Sequence, residues 1–426
     1  MNIIGLVDCN NFYASCERVF RPDWESWPVA VLSNNDGCVI ARSNEAKELV
    51  EMGAPTFKIP PAARRELILV SSNYALYGDM SRRVTTTLRE FTPDVEIYSI
   101  DESFLGFDGF PLDQLEDHCQ RLRYVVRRNT GIPVSVGLST SRTLAKVANK
   151  LAKKIAAYEG VCLLQPDSEI TRQILEDLPV TDLWGVSGRL GQRLSQMGIV
   201  TAWQLREADP KRIRARFSVV QERLVYELRG IDCIDTDDLA EPKKNIMTSR
   251  SFGRLTSDPH EVRAAIRAHA ARGAEKLRKQ GSVARAIQVH LKTNKHREDL
   301  AQYHPALVVQ LPHPSNDTRV IVGAAQAALQ CLWRDGYRYM KAGVMMLDLV
   351  DRETLQHDIF DSPESDAERE RSAKASAVMD ELNRKMGRGT VRLGGTKGKA
   401  DWKLKAELLT KRYTTRWDEL PIVSLK

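Results

Sequence analysis

The twelve residues Glu96-Ile97-Tyr98-Ser99-Ile100-Asp101-Glu102-Ser103-Phe104-Leu105-Gly106-Phe107 place the tightest limit on how this chain can fold. On both sides of Asp101-Glu102, β-branched and aromatic residues roughly alternate with polar ones. That is the period of a half-buried antiparallel pair turning at two acids. Adjacent ionised carboxylates repel, and a compensating cation makes such a tip stable. Taken alone, the pair reads as solvated turn punctuation. The opening strand, Ile3-Ile4-Gly5-Leu6-Val7, ends on a third acid, Asp8. Two strands that deliver carboxylates at their ends can hold a pair of hard cations at the ~3.5–4 Å spacing used in in-line phosphoryl displacement. Asp8, Asp101 and Glu102 are therefore the candidate site.

After Asp8, Asn10-Asn11-Phe12-Tyr13-Ala14-Ser15-Cys16-Glu17 opens a helix, whose aromatic pair is either plain core or a floor for a nucleotide sugar. Residues 28–32 and 39–41 form strands joined by the polar turn Asn34-Asn35-Asp36-Gly37, and a helix from about Ser43 carries Lys47. Further helices are expected over 80–91, ended by Thr92-Pro93, and over 112–129, closed by Gly131. Residues 134–138 are a strand, and Ser139-Thr140-Ser141 caps a helix over 142–154. Strand, helix, hairpin, helix, strand is the order of a ferredoxin-like sheet, in which the first strand lies beside the central hairpin and Asp8 meets Asp101. The last helix carries Lys146, Lys150, Lys153 and Lys154, two of them on the face toward the acids. Lys153 serves either a triphosphate or only the solvent.

From Leu178 the character changes. Leu183-Trp184-Gly185-Val186-Ser187-Gly188-Arg189-Leu190, followed by Leu194 and Met197-Gly198-Ile199, reads as two helical segments joined by a glycine-cornered turn. Gly185 and Gly188 let the backbone come close to a partner and leave helix-start N–H groups for a phosphate, with Arg189 beside them. This helix-hairpin-helix pattern contacts phosphates without reading bases. An acidic linker over 235–241 ends at Pro242. Beyond it the strand-helix-strand-strand-helix-strand order recurs without paired acids. Residues 243–345 hold 18 Lys and Arg against 7 Asp and Glu, a net +11 where the whole chain has +7. Such a bias marks either a polyanionic partner or a solvated basic face. Read as a clamp on nucleic acid, this part has Arg250, Arg254, Lys292, Lys295 and Arg297 as its phosphate contacts.

A chain of 426 residues exceeds one core, and two to four domains are expected. With 42% hydrophobic and 28% charged residues, disordered and fibrous classes are excluded. The apolar run before Asp8 is too short and lacks the basic flank of a signal peptide, and no run of about 18 apolar residues occurs, so a cytoplasmic protein without a membrane partner is expected. Seven cysteines without a C-x-x-C pair argue against zinc sites and disulfide frameworks. Residues 351–371 are acidic and poor in large apolar side chains, which predicts mobility. Within them Gln356-His357-Asp358-Ile359-Phe360 ends in two apolar residues that either dock on the body or anchor a partner. Trp402, Tyr413 and Trp417 give the terminal segment a small docking surface and no chemistry.

Together these residues resemble the Y-family translesion DNA polymerases, most closely the UmuC-type catalytic subunit of bacterial DNA polymerase V. The likeness rests on residues 8–17, on Leu32-Ser33-Asn34-Asn35-Asp36-Gly37-Cys38-Val39-Ile40-Ala41-Arg42, on Tyr98-Ser99-Ile100-Asp101-Glu102, and on Arg412-Tyr413-Thr414-Thr415-Arg416. It implies a multidomain α+β right hand: a ferredoxin-like palm (1–12 and 73–164), small fingers (13–72), a helix-hairpin-helix thumb (165–234), a linker (235–245), a βαββαβ little-finger domain (246–350) and a C-terminal partner-binding region (351–426). It also implies two Mg²⁺ on Asp8, Asp101, Glu102 and the Cys9 carbonyl, and a steric gate at Tyr13 with Phe12 beside it. Lys47 and Lys153 fall where the family binds the triphosphate, and Asn44 stands where many relatives carry a tyrosine. Gln356, Ile359 and Phe360 resemble a sliding-clamp peptide. The implied activity is error-prone, two-metal addition of deoxynucleotides to a primer opposite damaged template, in the SOS response and without a proofreading exonuclease. Implied partners are primer-template DNA, dNTP, a UmuD′-like dimer, a RecA-type recombinase filament and the clamp, in a nucleoid-associated setting. Two rivals share parts of the pattern. A nucleotidyl cyclase-like enzyme has the palm and the acids but no use for the basic clamp, and a catalytically inactive DNA-binding scaffold has the clamp but no use for the acids.

Overall fold

The computed structural model describes residues 2–234, 243–353, 363–387, 389–392 and 405–422. The chain forms two compact units, Met1–Ala240 with Ala406–Lys426, and Glu241–Lys405.

In the first unit β1 (Ile4–Cys9) leads into α1 (Phe12–Val19). Then come β2 (Val29–Leu32), β3 (Val39–Arg42), α2 (Pro61–Glu66), β4 (Ile68–Ser71) and α3 (Tyr74–Leu88). After these follow β5 (Val95–Ile97), β6 (Glu102–Gly106), α4 (Leu112–Thr130), β7 (Val134–Ser139), α5 (Arg142–Lys154) and β8 (Val161–Leu163). β1 is apolar on both faces, so burial places it in the middle of the five-stranded sheet β5-β6-β1-β7-β8. It pairs antiparallel with β6 on one side and β7 on the other, and the first four strands of that order have the ferredoxin-like arrangement expected. The expected hairpin of the fingers is present, β2 pairing antiparallel with β3 and parallel with β4.

Two local expectations shift. α3 starts at Tyr74, well before residue 80, because Asn73 caps it by accepting from the Leu76 N–H. The helix expected around Lys47 is a single 3₁₀ turn, Glu45–Lys47, and the chain turns away at Gly53, whose φ of 80° suits glycine. The thumb is helical throughout: α6 (Glu169–Asp177), α7 (Gly188–Ser195), α8 (Ala202–Glu207), α9 (Pro210–Arg216) and α10 (Val219–Leu228). Within 183–199 one helix, α7, forms where two helical segments were expected, and the chain enters it through the 3₁₀ turn Val180–Asp182.

The second unit runs β9 (Ile246–Thr256), α11 (Pro259–Gln280), β10 (Ser282–Thr293), β11 (Ala306–Ser315), α12 (Thr318–Leu332) and β12 (Tyr339–Asp351), the expected element order. Its wiring is not a repeat of the palm. The sheet order is β11-β10-β12-β9, so the first strand sits at an edge. The cause is burial: β10 is covered on nearly its whole length, whereas β9 alternates with exposed residues such as Met247 and Arg250. Within 351–371, helix α13 (Pro363–Lys385) begins where a mobile stretch was expected, and Asp380 further along it receives Arg278 of α11 at 2.7 Å. The stretch 351–426 does not stay together, since α13 belongs to the second unit and residues from Ala406 onward to the first.

One histidine gives this unit an acid limit. His269 on α11 is buried, and burial, with Arg250, His290 and Lys341 adding positive charge, pushes its imidazole down from 6.5 to about 4. The unfolded ring takes up its proton near pH 6.5 and the folded one only near 4, so stability is full above 6.5 and falls as the pH drops between them, by roughly 3 kcal/mol in total. Urea unfolding followed from pH 7 to 4.5 is expected to show this loss, and His269→Gln to flatten it. An equal pH slope in the variant would remove His269 as its cause.

Candidate active site

The register of β1 builds the site. Asp8 stands directly opposite Glu102 of β6 and, on its other side, opposite Ser135 of β7. The next residue, Cys9, donates its backbone N–H to the Asp101 carbonyl at 2.9 Å, which holds the acidic turn against the end of β1. Ser99 fixes the turn itself: its hydroxyl donates to Asp101 Oδ1 at 2.5 Å and accepts from the N–H groups of Asp101 (3.3 Å) and Glu102 (3.1 Å). All three predicted acids are thus brought together at one end of the central strands β1 and β6.

Helix α5 supplies the counter-charge because it lies unusually close to the sheet. A side chain at Gly137 of β7 would put its Cβ 2.1 Å from the Asn149 nitrogen and 2.2 Å from the Ala145 carbonyl. The buried Asn149 then pins the helix across two strands, donating to the Leu6 carbonyl (3.1 Å) and the Ser135 carbonyl (2.8 Å). Lys146 and Lys153, two turns apart, consequently share the face toward the acids. Lys153 Nζ lies 2.6 Å from Asp8 Oδ1, and Lys146 Nζ donates to Glu102 Oε1 at 2.8 Å. Lys146 is also held over the rings of Tyr98 (4.6 Å) and Trp184 (5.2 Å), whose indole N–H donates to the Tyr98 hydroxyl at 3.1 Å. Lys150 turns instead to Asp182, at 2.6 Å. Burial pushes the Asp8 carboxyl up to about 6; Lys153 works against that rise, and Glu102 and Asp101 add to it.

Among the described residues, no three His, Cys, Asp or Glu side chains close up as a preformed metal cage. The carboxylates are satisfied by Lys146, Lys153 and Ser99. The donor chemistry nonetheless suits a hard cation. Burial holds the Cys9 thiol far above its ordinary range, so the ligands on offer are carboxylate oxygens and not a thiolate.

Beside the acids, the Tyr13 ring stacks on Tyr77 (centroids 4.4 Å apart, 17° between planes) and meets the edge of Tyr74 at 6.1 Å. Phe12, expected beside it, does lie next to Tyr13, with ring centroids 5.7 Å apart, but it is only 3% exposed and packs in the core, so the half-buried Tyr13 ring is the one that reaches the surface of the site. Asn44 Oδ1 accepts from both Asn11 Nδ2 (3.0 Å) and Lys47 Nζ (2.8 Å). Burial, with the nearby Arg42 and Lys153, lowers the Lys47 ammonium's pKa. Lys47, Lys153 and Arg42 thus form one cationic cluster. Sequence reading missed Arg42 as a site residue and gave Lys146 no role of its own, since neither carries a spacing signal of its own.

The remaining candidates lie elsewhere. Gly185 (φ 81°) and Gly188 border open space, and α7 begins at Gly188 without a side-chain cap from Ser187, with Arg189 exposed next to it. In the second unit Arg250 and Arg254 are on β9, and Lys292 faces Lys341 across the β10–β12 pair. Lys295 lies after β10, and Arg297 is paired with Asp299 at 2.6 Å. Gln356, Ile359 and Phe360 lie outside the described residues.

Comparison with known proteins agrees with this layout. Residues 7–150 match the impB/mucB/samB family and residues 243–359 that family's C-terminal domain. Residues 168–199 match the IMS family HHH motif, and residues 373–423 a domain of unknown function. The chain is similar to Protein UmuC of Salmonella typhimurium, 44% identical with 98% of this chain and 99% of the relative covered. It is 42% identical to Protein SamB of the same organism over 99% of this chain and 100% of the relative. DNA polymerase IV 1 of Bacillus subtilis is 27% identical over 96% and 97%. Among solved structures, a Y-family DNA polymerase chimera of Dbh and Dpo4 has the same fold, with a TM-score of 0.61 at 18% identity, covering 82% of this chain and all of that one. With its acids, helical thumb and basic second unit in the places described, the chain belongs to the impB/mucB/samB family of Y-family polymerases and is an error-prone translesion DNA-directed DNA polymerase of the SOS response.

Proposed function

We propose that the polymerase reaction runs on two Mg²⁺ held by the carboxylates of Asp8, Asp101 and Glu102 with the Cys9 carbonyl, and that Tyr13 closes the sugar side of the nucleotide pocket. The observation that carries this reading is the cross-strand placement of Asp8 against Glu102 with the Asp101 carbonyl tied to Cys9 N–H. Ions held there would supply Lewis-acid chemistry, activating the primer 3′-hydroxyl and offsetting the charge of the departing pyrophosphate. The chain's own groups do the rest. Asp8, Asp101 and Glu102 supply the negative charge that holds the ions. Lys47, Arg42 and Lys153 hold the triphosphate, with Asn44 orienting Lys47. Lys146, fixed by its aromatic neighbours, keeps Glu102 aimed at the site.

Duplex product is gripped at its phosphates by the N–H groups at Gly185 and Gly188 with Arg189, and by Arg250, Arg254, Lys292, Lys295 and Arg297 of the basic unit. Neutralising Lys292 and Lys295 together is expected to make the log-log salt slope of primer-template binding shallower by about 1.8, or about 0.9 per contact. An unchanged slope in a filter-binding titration would take both off the contact list.

Gln356, Ile359 and Phe360 are proposed to engage a sliding clamp. A UmuD′-like dimer and a RecA-type filament are proposed as activators, in a cytoplasmic, nucleoid-associated setting. No helix among the described residues is long and apolar enough to cross a membrane. The test is primer extension by the purified chain with Mg²⁺, alone and with those partners. Extension past a lesion supports the reading, whereas a cyclic nucleotide product or DNA binding without extension would replace it with one of the rivals.

A further inference from the structure

Two motifs of this sequence, residues 32–42 and 412–416, carry little of the chemistry above, and the segment leading into the second is bonded to Asp36 of the first. The Asp36 carboxylate accepts from the Ser71 hydroxyl (2.6 Å) and from the backbone N–H of Glu407 (3.0 Å). Ser71 is clamped to Leu408 on both sides: its N–H donates to the Leu408 carbonyl and its Oγ accepts from the Leu408 N–H, each at 3.0 Å. Asn73, the residue that caps α3, donates through Nδ2 to Thr410 Oγ1 (3.1 Å) and to the carbonyls of Thr410 and Lys411 (3.2 Å each). Thr410 Oγ1 in turn donates to Glu17 Oε1 at 3.1 Å, the same oxygen that accepts from the Tyr77 hydroxyl at 2.7 Å. Finally, Tyr413 stacks on Phe20, the residue after α1, 4.7 Å between centroids and 12° between planes.

Ser71, Asn73, Glu17 and Tyr77 are all buried. Removing the segment would take partners from Ser71, Asn73 and Glu17 at once. Glu17 is the sensitive link. Its Oε2 has no partner, so the carboxyl is held through Oε1 alone, by Tyr77 from one side and Thr410 from the other. Tyr77 is the ring on which Tyr13 stacks.

We propose that residues 406–422 are a strap that ties fingers to palm and, through Thr410, Glu17 and Tyr77, sets where the Tyr13 ring stands, making Thr410 a positioning residue for discrimination at the nucleotide sugar. This deepens the reading of Tyr13 as the gate and rests on it. It also gives a role to the end of the matched domain whose function is unknown. Steric rejection of a 2′-hydroxyl depends on a ring wall that does not yield. A displacement of about 1 Å in a positioned group changes rates by up to about a hundredfold.

The test uses the full-length chain and reads the ratio of kcat/KM for a deoxynucleotide to that for the matching ribonucleotide. Thr410→Val is expected to lower the ratio about fivefold by admitting the ribonucleotide, with kcat for the deoxynucleotide nearly unchanged, while Thr410→Ser, which keeps the hydroxyl, restores it. Tyr77→Phe keeps the stacked ring and removes the other donor to Glu17, so it should shift the ratio in the same direction and serves if Thr410→Val folds poorly. In a Tyr13→Ala background Thr410→Val should add nothing further. A wild-type ratio in both Thr410→Val and Tyr77→Phe, beside an opened gate in Tyr13→Ala, overturns the strap and leaves the gate standing. If Tyr13→Ala itself leaves the ratio unchanged, the gate reading fails and the strap falls with it.

Discussion

Asp101→Asn is expected to lower primer extension by about a thousandfold or more while leaving the fold and primer-template affinity near those of the parent. The geometry makes this substitution a clean one. An asparagine keeps the oxygen to which Ser99 donates, and the backbone carbonyl that accepts from Cys9 N–H is untouched, so the acidic turn should survive. What is lost is one of three negative charges in a site where Lys146 and Lys153 already offset two. With the third gone, little net attraction for a divalent cation remains, and the resident lysines compete on equal terms. Single-turnover extension across a Mg²⁺ titration, with DNA affinity measured alongside, checks this. Activity within about tenfold of the parent would mean that Asp101 is not a ligand.

The second large effect concerns the sugar. Tyr13→Ala should raise ribonucleotide incorporation on the order of a hundredfold relative to deoxynucleotide, whereas Tyr13→Phe should behave like the parent. The reason is the support behind the ring. Tyr13 stacks flat on Tyr77, which is fully buried, with the edge of Tyr74 closing one side. A ring so backed cannot swing away from an added hydroxyl, and its own phenol group has no part in the clash. Competition between matched ribo- and deoxynucleotides at one template position measures the ratio. Equal opening in the Phe and Ala variants would show that the hydroxyl, not the ring, discriminates.

How much of this was legible in the amino-acid sequence varied with the range of the signal. A strand apolar on both faces ending in Asp8, and a hairpin turning at Asp101-Glu102, are local patterns, and their order alone is enough to lay them side by side. The choice between Lys146 and Lys150 was not legible. It depends on Gly137 and Asn149 drawing α5 down on the sheet, and an interior glycine or asparagine has no signature that separates this role from others. Phe12, which the resemblance sets beside Tyr13, touches that ring, but its burial was not legible from the motif: adjacent residues on a helix point about 100° apart, and the step from Tyr13 to Phe12 turns inward. The second sheet followed the expected element order but not the palm's wiring, because pairing partners are chosen by burial over the whole sheet and not by succession. In the terminal segment Tyr413 could be read as a docking aromatic, and it stacks on Phe20, but the bonds of Leu408 and Thr410 could not, since backbone groups and single hydroxyls leave no periodic trace.

The most direct measurement is anomalous scattering from crystals of the chain with primer-template, an incoming nucleotide and Mn²⁺. Two peaks are predicted at the end of the central strands β1 and β6, ~3.5–4 Å apart, with Asp8, Asp101 and Glu102 as ligands and Lys153 withdrawn from Asp8. Peaks elsewhere, or Asp8 still paired with Lys153 beside a bound nucleotide, would contradict the account.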